Sequence, residues 1–324
     1  MVKKSDAFAA RFLGAGRTVL AFAGHGLLTF GALFVMLGGS SMSAEEGLDG
    51  IVASAPEKVA SGFQFTEGPA WHPEGFLIFS DIPANRIVKW TGTDKVETFR
   101  EPSGNSNGLI FDAKGRLIAC EHGNRRVSRT EPDGKVVTLA DKYEGKRLNS
   151  PNDVVVRSDG NIYFTDPPYG IQPAENELNF NGVFRISPDG KLSLLAKDFD
   201  RPNGILLSPD EKTLYVADTA RGHVRAFDVQ PDGSVKGGKV FCEVPGPDGM
   251  AMDVKGNLYV TSAGVAVFSP KGEKIGEIKL PERPANCCFG GPDHKTLFVT
   301  ARTSLYSVRL KVAGLKLVPA PAQK

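Results

Sequence analysis

RPNGILLSPDEKTLYVAD, residues 201–218, holds two short apolar runs separated by the turn Pro209-Asp210-Glu211-Lys212, and a polar pair, Asn203-Gly204, stands ahead of the first run. Runs rich in Ile, Leu, Val and Tyr and bounded by Pro, Asp and Gly read as strands, so the stretch is a β-hairpin. Its turn-then-strand half recurs as EGFLIFSD (74–81), KGRLIACE (114–121), DGNIYFTD (159–166), EKTLYVAD (211–218), KGNLYVTS (255–262) and HKTLFVTA (294–301). The copies are spaced by roughly 40 to 50 residues, the length of one four-stranded propeller blade. Further strand-like runs follow in each copy, such as NRIVKW, GVFRIS and SLYSVR, then KVETFR, KVVTLA or KLSLLA. The fold expected is therefore all-β: a six-bladed β-propeller with four-stranded antiparallel blades, preceded by an N-terminal export segment. PEKVASG (56–62) lies ahead of the first copy and is placed to add a strand to the last blade, closing the ring.

The export segment is read from a basic lead, the uncharged stretch TVLAFAGHGLLTFGALFVML (18–37) and the small-residue run GGSSMSA. Residues 1–43 are expected to be a signal peptide or signal anchor, and 44–324 a single propeller domain, periplasmic or secreted. The stretch 18–37 is about long enough to span a bilayer, so membrane association is expected only if it stays uncleaved. Those first 43 residues hold Lys3, Lys4, Arg11 and Arg17 against Asp6, which leaves 35 basic and 36 acidic residues in the remainder. Such a balance gives no support to a nucleic-acid partner. Cys120, Cys242, Cys287 and Cys288 fit no zinc spacing and read as buried thiols. GNSNG (104–108) matches the serine-elbow pattern, but a strand follows it where the elbow needs a helix.

Aligning the six copies exposes a second register. Eight residues before the same turn position stand Glu67, Asn107, Asn152, Asn203, Asp248 and Asn286. Each opens the first strand of its blade, which in a propeller lies nearest the axis, so the six side chains can converge at one end of the channel. Asp, Glu and Asn oxygens suit a hard cation such as calcium or magnesium. The competing reading is turn chemistry, since Asn-Gly and Asp-Gly favour positive φ; six copies in register, one of them Glu67, argue against it. Loops after the second strand return to the same end. They place Asp81, Glu121, His122, Asp166, Tyr169, Asp218 and Arg221 at the mouth, with Arg147 and Asn149 between blades.

The segments EGPAW (67–71), NGLIFDAKGRLIACEHGNRRVSR (107–129), LNSPNDVVVRSDGNIYFTDPPYG (148–170), RPNGILLSPDEKTLYVAD (201–218) and PDGMAMD (247–253) resemble the gluconolactonase, senescence marker protein and luciferin-regenerating enzyme family, in particular its bacterial gluconolactonase branch. That resemblance implies a lactone-hydrolysing propeller with a divalent metal in the channel, calcium first, with magnesium, manganese or zinc as other occupants. By resemblance the ligands map onto Glu67, Asn152, Asn203 and Asp248. Asp248 is the expected general base and Asp153 its competitor. Asn107, Glu121, His122, Arg147, Asn149, Asp166, Tyr169 and Arg221 are expected to contact a small-molecule lactone. Arg147 stands in for an arginine that the animal members carry near a ligand asparagine. The alternatives are a calcium-dependent arylesterase or phosphotriesterase-like propeller and a non-catalytic ligand-binding propeller.

Overall fold

The computed structural model describes residues 47–93 and 95–316. The expected export segment lies outside the described residues, and among them no helix is long and apolar enough to cross a membrane. The described residues form six four-stranded antiparallel sheets, five of them with strands in sequence order from one side to the other. The first strands are Thr66–His72, Ser106–Phe111, Val154–Val156, Pro202–Leu207, Met250–Met252 and Asn286–Gly290. Each of these contacts the first strand of the next blade, and Asn286–Gly290 contacts Thr66–His72, so the six close a ring around an axis. Burial follows that order. Ser106–Phe111 and Pro202–Leu207 are buried throughout, whereas the outer strand Val96–Arg100 is largely exposed.

The sixth blade takes its outer strand from the start of the domain: Glu57–Ser61 pairs antiparallel with Ser304–Arg309. This is the closure expected from PEKVASG. One apolar cluster, with Leu77, Phe79 and Val88 from the first blade and Cys288, Phe298 and Leu305 from the sixth, packs across the seam. Trp71 stacks on Phe298 there at 5.5 Å.

Every hairpin between first and second strands needs a left-handed residue at the aligned turn position. Gly75, Gly115, Gly160 and Gly256 supply it, and Glu211 and His294 adopt it at φ 55° and 54°. Glycine carries no Cβ penalty there, which is why the turn reads so clearly in four of the six copies. The four cysteines are free and buried.

Candidate metal centre

The residues eight positions before the turns open the inner strands at one end of the ring. None of Asn107, Asn152, Asn203 or Asn286 has positive φ, so turn geometry does not account for them. Their glycine partners have a different purpose. A Cβ on Gly68 would stand 2.0 Å from the Asn107 carbonyl oxygen, one on Gly204 2.2 Å from that of Asp248, and one on Gly249 2.0 Å from the Asn286 side chain. Glycine is required because adjacent inner strands approach backbone to backbone. The N–H of Gly108 donates to Asn152 O at 2.7 Å and that of Gly204 to Asp248 O at 3.2 Å. Hydroxyls of the second strands staple the same crossings: Ser80 Oγ donates to Asn107 O at 2.8 Å and Thr165 Oγ1 to Asn203 O at 2.7 Å.

On this frame the carboxamides form a chain. Asn107 Nδ2 donates to Asn152 Oδ1 at 2.7 Å, and Asn152 Nδ2 donates to Asn203 Oδ1 at 2.6 Å. Asn203 Nδ2 donates to Thr219 Oγ1 at 3.0 Å and Tyr169 Oη at 3.3 Å. His122 joins from the rim, its Nε2 3.2 Å from Asn152 Oδ1; burial lowers its pKa to about 4, so it is neutral at pH 7.

The carboxylates lie among these amides. Glu67 is 4% exposed and accepts the Gly68 N–H at 2.7 Å. Burial, together with the Asp248 charge, pushes its carboxyl well above the usual range. Asp248 is pushed up to about 7, by burial first, and Asp153 to about 6 for the same reason. Asp153 differs in being tied at both oxygens, accepting Val154 N–H at 2.9 Å and Ile205 N–H at 3.2 Å. All three carboxylates are thus held where their charge is poorly solvated, and for Glu67 and Asp248 other carboxylates add repulsion. A bound cation would relieve both effects.

The SMP-30/Gluconolactonase/LRE-like region matches residues 65–303. The chain belongs to this family. It is 38% identical over 297 residues to a gluconolactonase of Zymomonas mobilis, covering 81% of this chain and 83% of that one. It is 29% identical to regucalcin of Xenopus laevis, over 75% and 85% of the two chains. Among solved structures, a gluconolactonase from Xanthomonas campestris superposes with a TM-score of 0.75 at 36% identity, covering 81% of this chain and 92% of its own.

Within this family architecture the remaining expected contacts separate into two groups. Asn107, His122 and Tyr169 join the ring or its rim. Glu121 and Asp166 are instead buried and turned to internal partners. Asp166 is 0% exposed and accepts the N–H groups of Asn149 and Ser150, each at 2.8 Å. Asp81 and Asp218 hold the chain ahead of their own blades in the same way, through Gln64 and Phe65 or Asp200 and Arg201. Glu121 lies between Arg100 and Arg126 and accepts from Ser128 Oγ at 2.5 Å. Asp81, Asp166 and Asp218 thus shape the loops leading into the blades, a role invisible until the strand ends meet, while Glu121 gathers side chains of the first two blades.

Asn149 is buried, its Nδ2 donating to Phe180 O at 2.8 Å. Arg147 is exposed on the ribbon Lys146–Arg147, where its N–H donates to Glu177 Oε2 at 2.8 Å. Arg221 pairs with Asp218 at 3.6 Å.

The donor set also explains why no cluster of three His, Cys, Asp or Glu suited to a metal occurs among the described residues. Half of the proposed ligands are asparagines. The oxygen-only set fits a hard divalent ion, and neither zinc-type thiolates nor a group of imidazoles converge on it.

Proposed function

We propose that this chain is a metal-dependent hydrolase that opens a sugar lactone, with calcium as the ion. The observation that carries the reading is the convergence of Glu67 and Asp248 with the carboxamides of Asn152 and Asn203 at one end of the channel, in a family whose gluconolactonase members share this fold. Those four residues would hold the ion. When bound, it would supply Lewis-acid charge for the carbonyl oxygen.

The chain's own residues perform the remainder. A water oxygen attacks the lactone carbonyl carbon, and Asp248 accepts its proton. The ring carbon–oxygen bond then breaks, and that proton passes to the leaving alkoxide, giving the hydroxy acid. Asp248 suits the base better than Asp153 because Asp153 has both oxygens occupied by backbone N–H groups, which favour its ionised form and reduce its basicity. The hydrogen-bonded amides keep Asn152 and Asn203 oriented, and neutral His122 supports Asn152. We further infer that residues 44–324 act as one exported propeller domain behind the leader at 1–43.

Lactone hydrolysis should disappear on chelation and return with calcium in the wild-type chain. Glu67→Gln and Asp248→Asn should each lower kcat/KM by at least about a hundredfold. Unchanged turnover in both variants would sink the reading. Parallel assays with phenyl acetate and a phosphotriester separate it from an arylesterase or phosphotriesterase.

A further inference from the structure

Three exposed arginines surround the mouth that carries Asp248, each on a different loop: Arg201 ahead of the fourth blade, Arg283 ahead of the sixth, and Arg302 in the turn between Thr296–Ala301 and Ser304–Arg309. The Arg201 guanidinium lies 5.8 Å from the ring centre of Tyr169, whose hydroxyl meets Asn203. Arg302 lies 5.3 Å from the ring centre of Phe65. Arg283 leans over the loop preceding Asp248, with its Nη2 3.2 Å from where a Cβ on Gly246 would stand. Arg283 and Arg302 both act electrostatically on Asp248, and Arg201 acts on Tyr169, which also senses the Asp248 charge.

These arginines lack the acidic partner that four others at strand ends and loops of the ring possess. Arg86, Arg100, Arg126 and Arg221 pair with Asp81, Glu121 or Asp218. Among the described residues Arg201, Arg283 and Arg302 form no ion pair. Aromatic faces hold two of the three guanidinium planes while leaving their N–H groups free to donate. A neutral lactone offers such groups no anion. A carboxylate on the substrate, remote from the reacting carbonyl, offers a bidentate acceptor.

We propose, building on the lactonase reading above, that the preferred substrate is an acidic lactone, and that Arg201, Arg283 and Arg302 bind its remote carboxylate and set specificity. The competing role for these arginines is to offset the charge of Glu67 and Asp248, which would affect neutral and acidic lactones alike.

The test compares kcat/KM for gluconolactone and glucarolactone of the same ring size, with phosphogluconolactone as a third arm. It uses the calcium-loaded wild type, Arg201→Gln, Arg283→Gln and Arg302→Gln, with Lys236→Gln on an outer strand as a control for net charge. The expected result is a preference of about tenfold or more for glucarolactone, weakened by salt. That ratio should fall about fivefold or more in each arginine variant and hold in the control. A wild-type ratio near one, an equal loss on both substrates, or a stronger preference for the phosphorylated lactone overturns the proposal. If no lactone turns over, the lactonase reading fails separately, and calorimetry with glucarate and gluconate decides this one: tighter glucarate binding that weakens in the arginine variants supports it, and equal affinity overturns it.

Discussion

The side-chain amide of Asn152 donates to the side-chain oxygen of Asn203 at 2.6 Å, and this bond joins the third blade to the fourth. Because Asn107 donates to Asn152 in turn, each amide's orientation is fixed by its neighbour. Asn203 Oδ1 accepts the Asn152 bond and keeps a second lone pair, whereas Asn152 Oδ1 accepts from Asn107 and lies 3.2 Å from His122 Nε2, so it would exchange one of these contacts for a cation. Neutral oxygens thus stand beside Glu67 and Asp248, with His122 the partner that would give way.

That arrangement predicts opposite stability effects with and without metal. In chelated protein, Glu67→Gln removes one of three poorly solvated carboxylates and its repulsion with Asp248 and Asp153, so the variant should be more stable than wild type by about 2 kcal/mol. With calcium in excess the order should reverse, since only wild type gains the full binding free energy. Thermal unfolding with chelator and with calcium checks both halves. An equal calcium-induced rise in wild type and variant would remove Glu67 from the ligand set.

The inner-strand glycines give a test of the frame itself. Gly204→Ala should destabilise by more than about 3 kcal/mol, because its Cβ would meet the Asp248 carbonyl at 2.2 Å and the neighbouring strand cannot retreat without parting from the ring. Gly115→Ala, also unfavourable through its φ of 73°, meets nothing within 4 Å and should cost about 1 to 2 kcal/mol. Urea midpoints of the two variants compare the costs directly. Equal losses would mean that close approach is not what fixes Gly204.

The contrast between these glycines also marks how far the sequence could be read. Blade number, strand order and the six aligned ring positions were legible because repetition turns weak local signals into a register. The reason for Gly68, Gly204 and Gly249 was not, since it depends on a strand from the next blade. The same limit hides the internal partners of Asp166. A carboxylate at a strand end near a mouth looks like a ligand contact until the backbone N–H groups it serves, such as those of Asn149 and Ser150, are brought beside it. Nothing local in the sequence separates Arg283 and Arg302, which lack an ion pair among the described residues, from the arginines that have one.

Glu282 gathers both sides of the seam: it accepts from Lys58 Nζ at 3.1 Å in the closing strand, and from Thr303 N–H, Ser304 Oγ and Tyr306 Oη at 3.0, 2.6 and 2.9 Å in the blade that strand joins. Burial raises its pKa, but these donors outweigh burial and bring the carboxyl to about 2, against an ordinary value of 4.5. A carboxyl depressed on folding stabilises the native state above its unfolded pKa, and that contribution is lost as pH falls through the folded value. Glu282→Gln should therefore lower stability at pH 7 by on the order of 1 kcal/mol, a figure discounted for solvent screening at a side chain 21% exposed. The deficit should shrink as pH falls from about 4.5 towards 2, because wild type then loses the same charge. Denaturant melts of both proteins across that range measure it. A difference that stays constant with pH would show that Glu282 holds the seam by shape and neutral hydrogen bonds, and not by its charge.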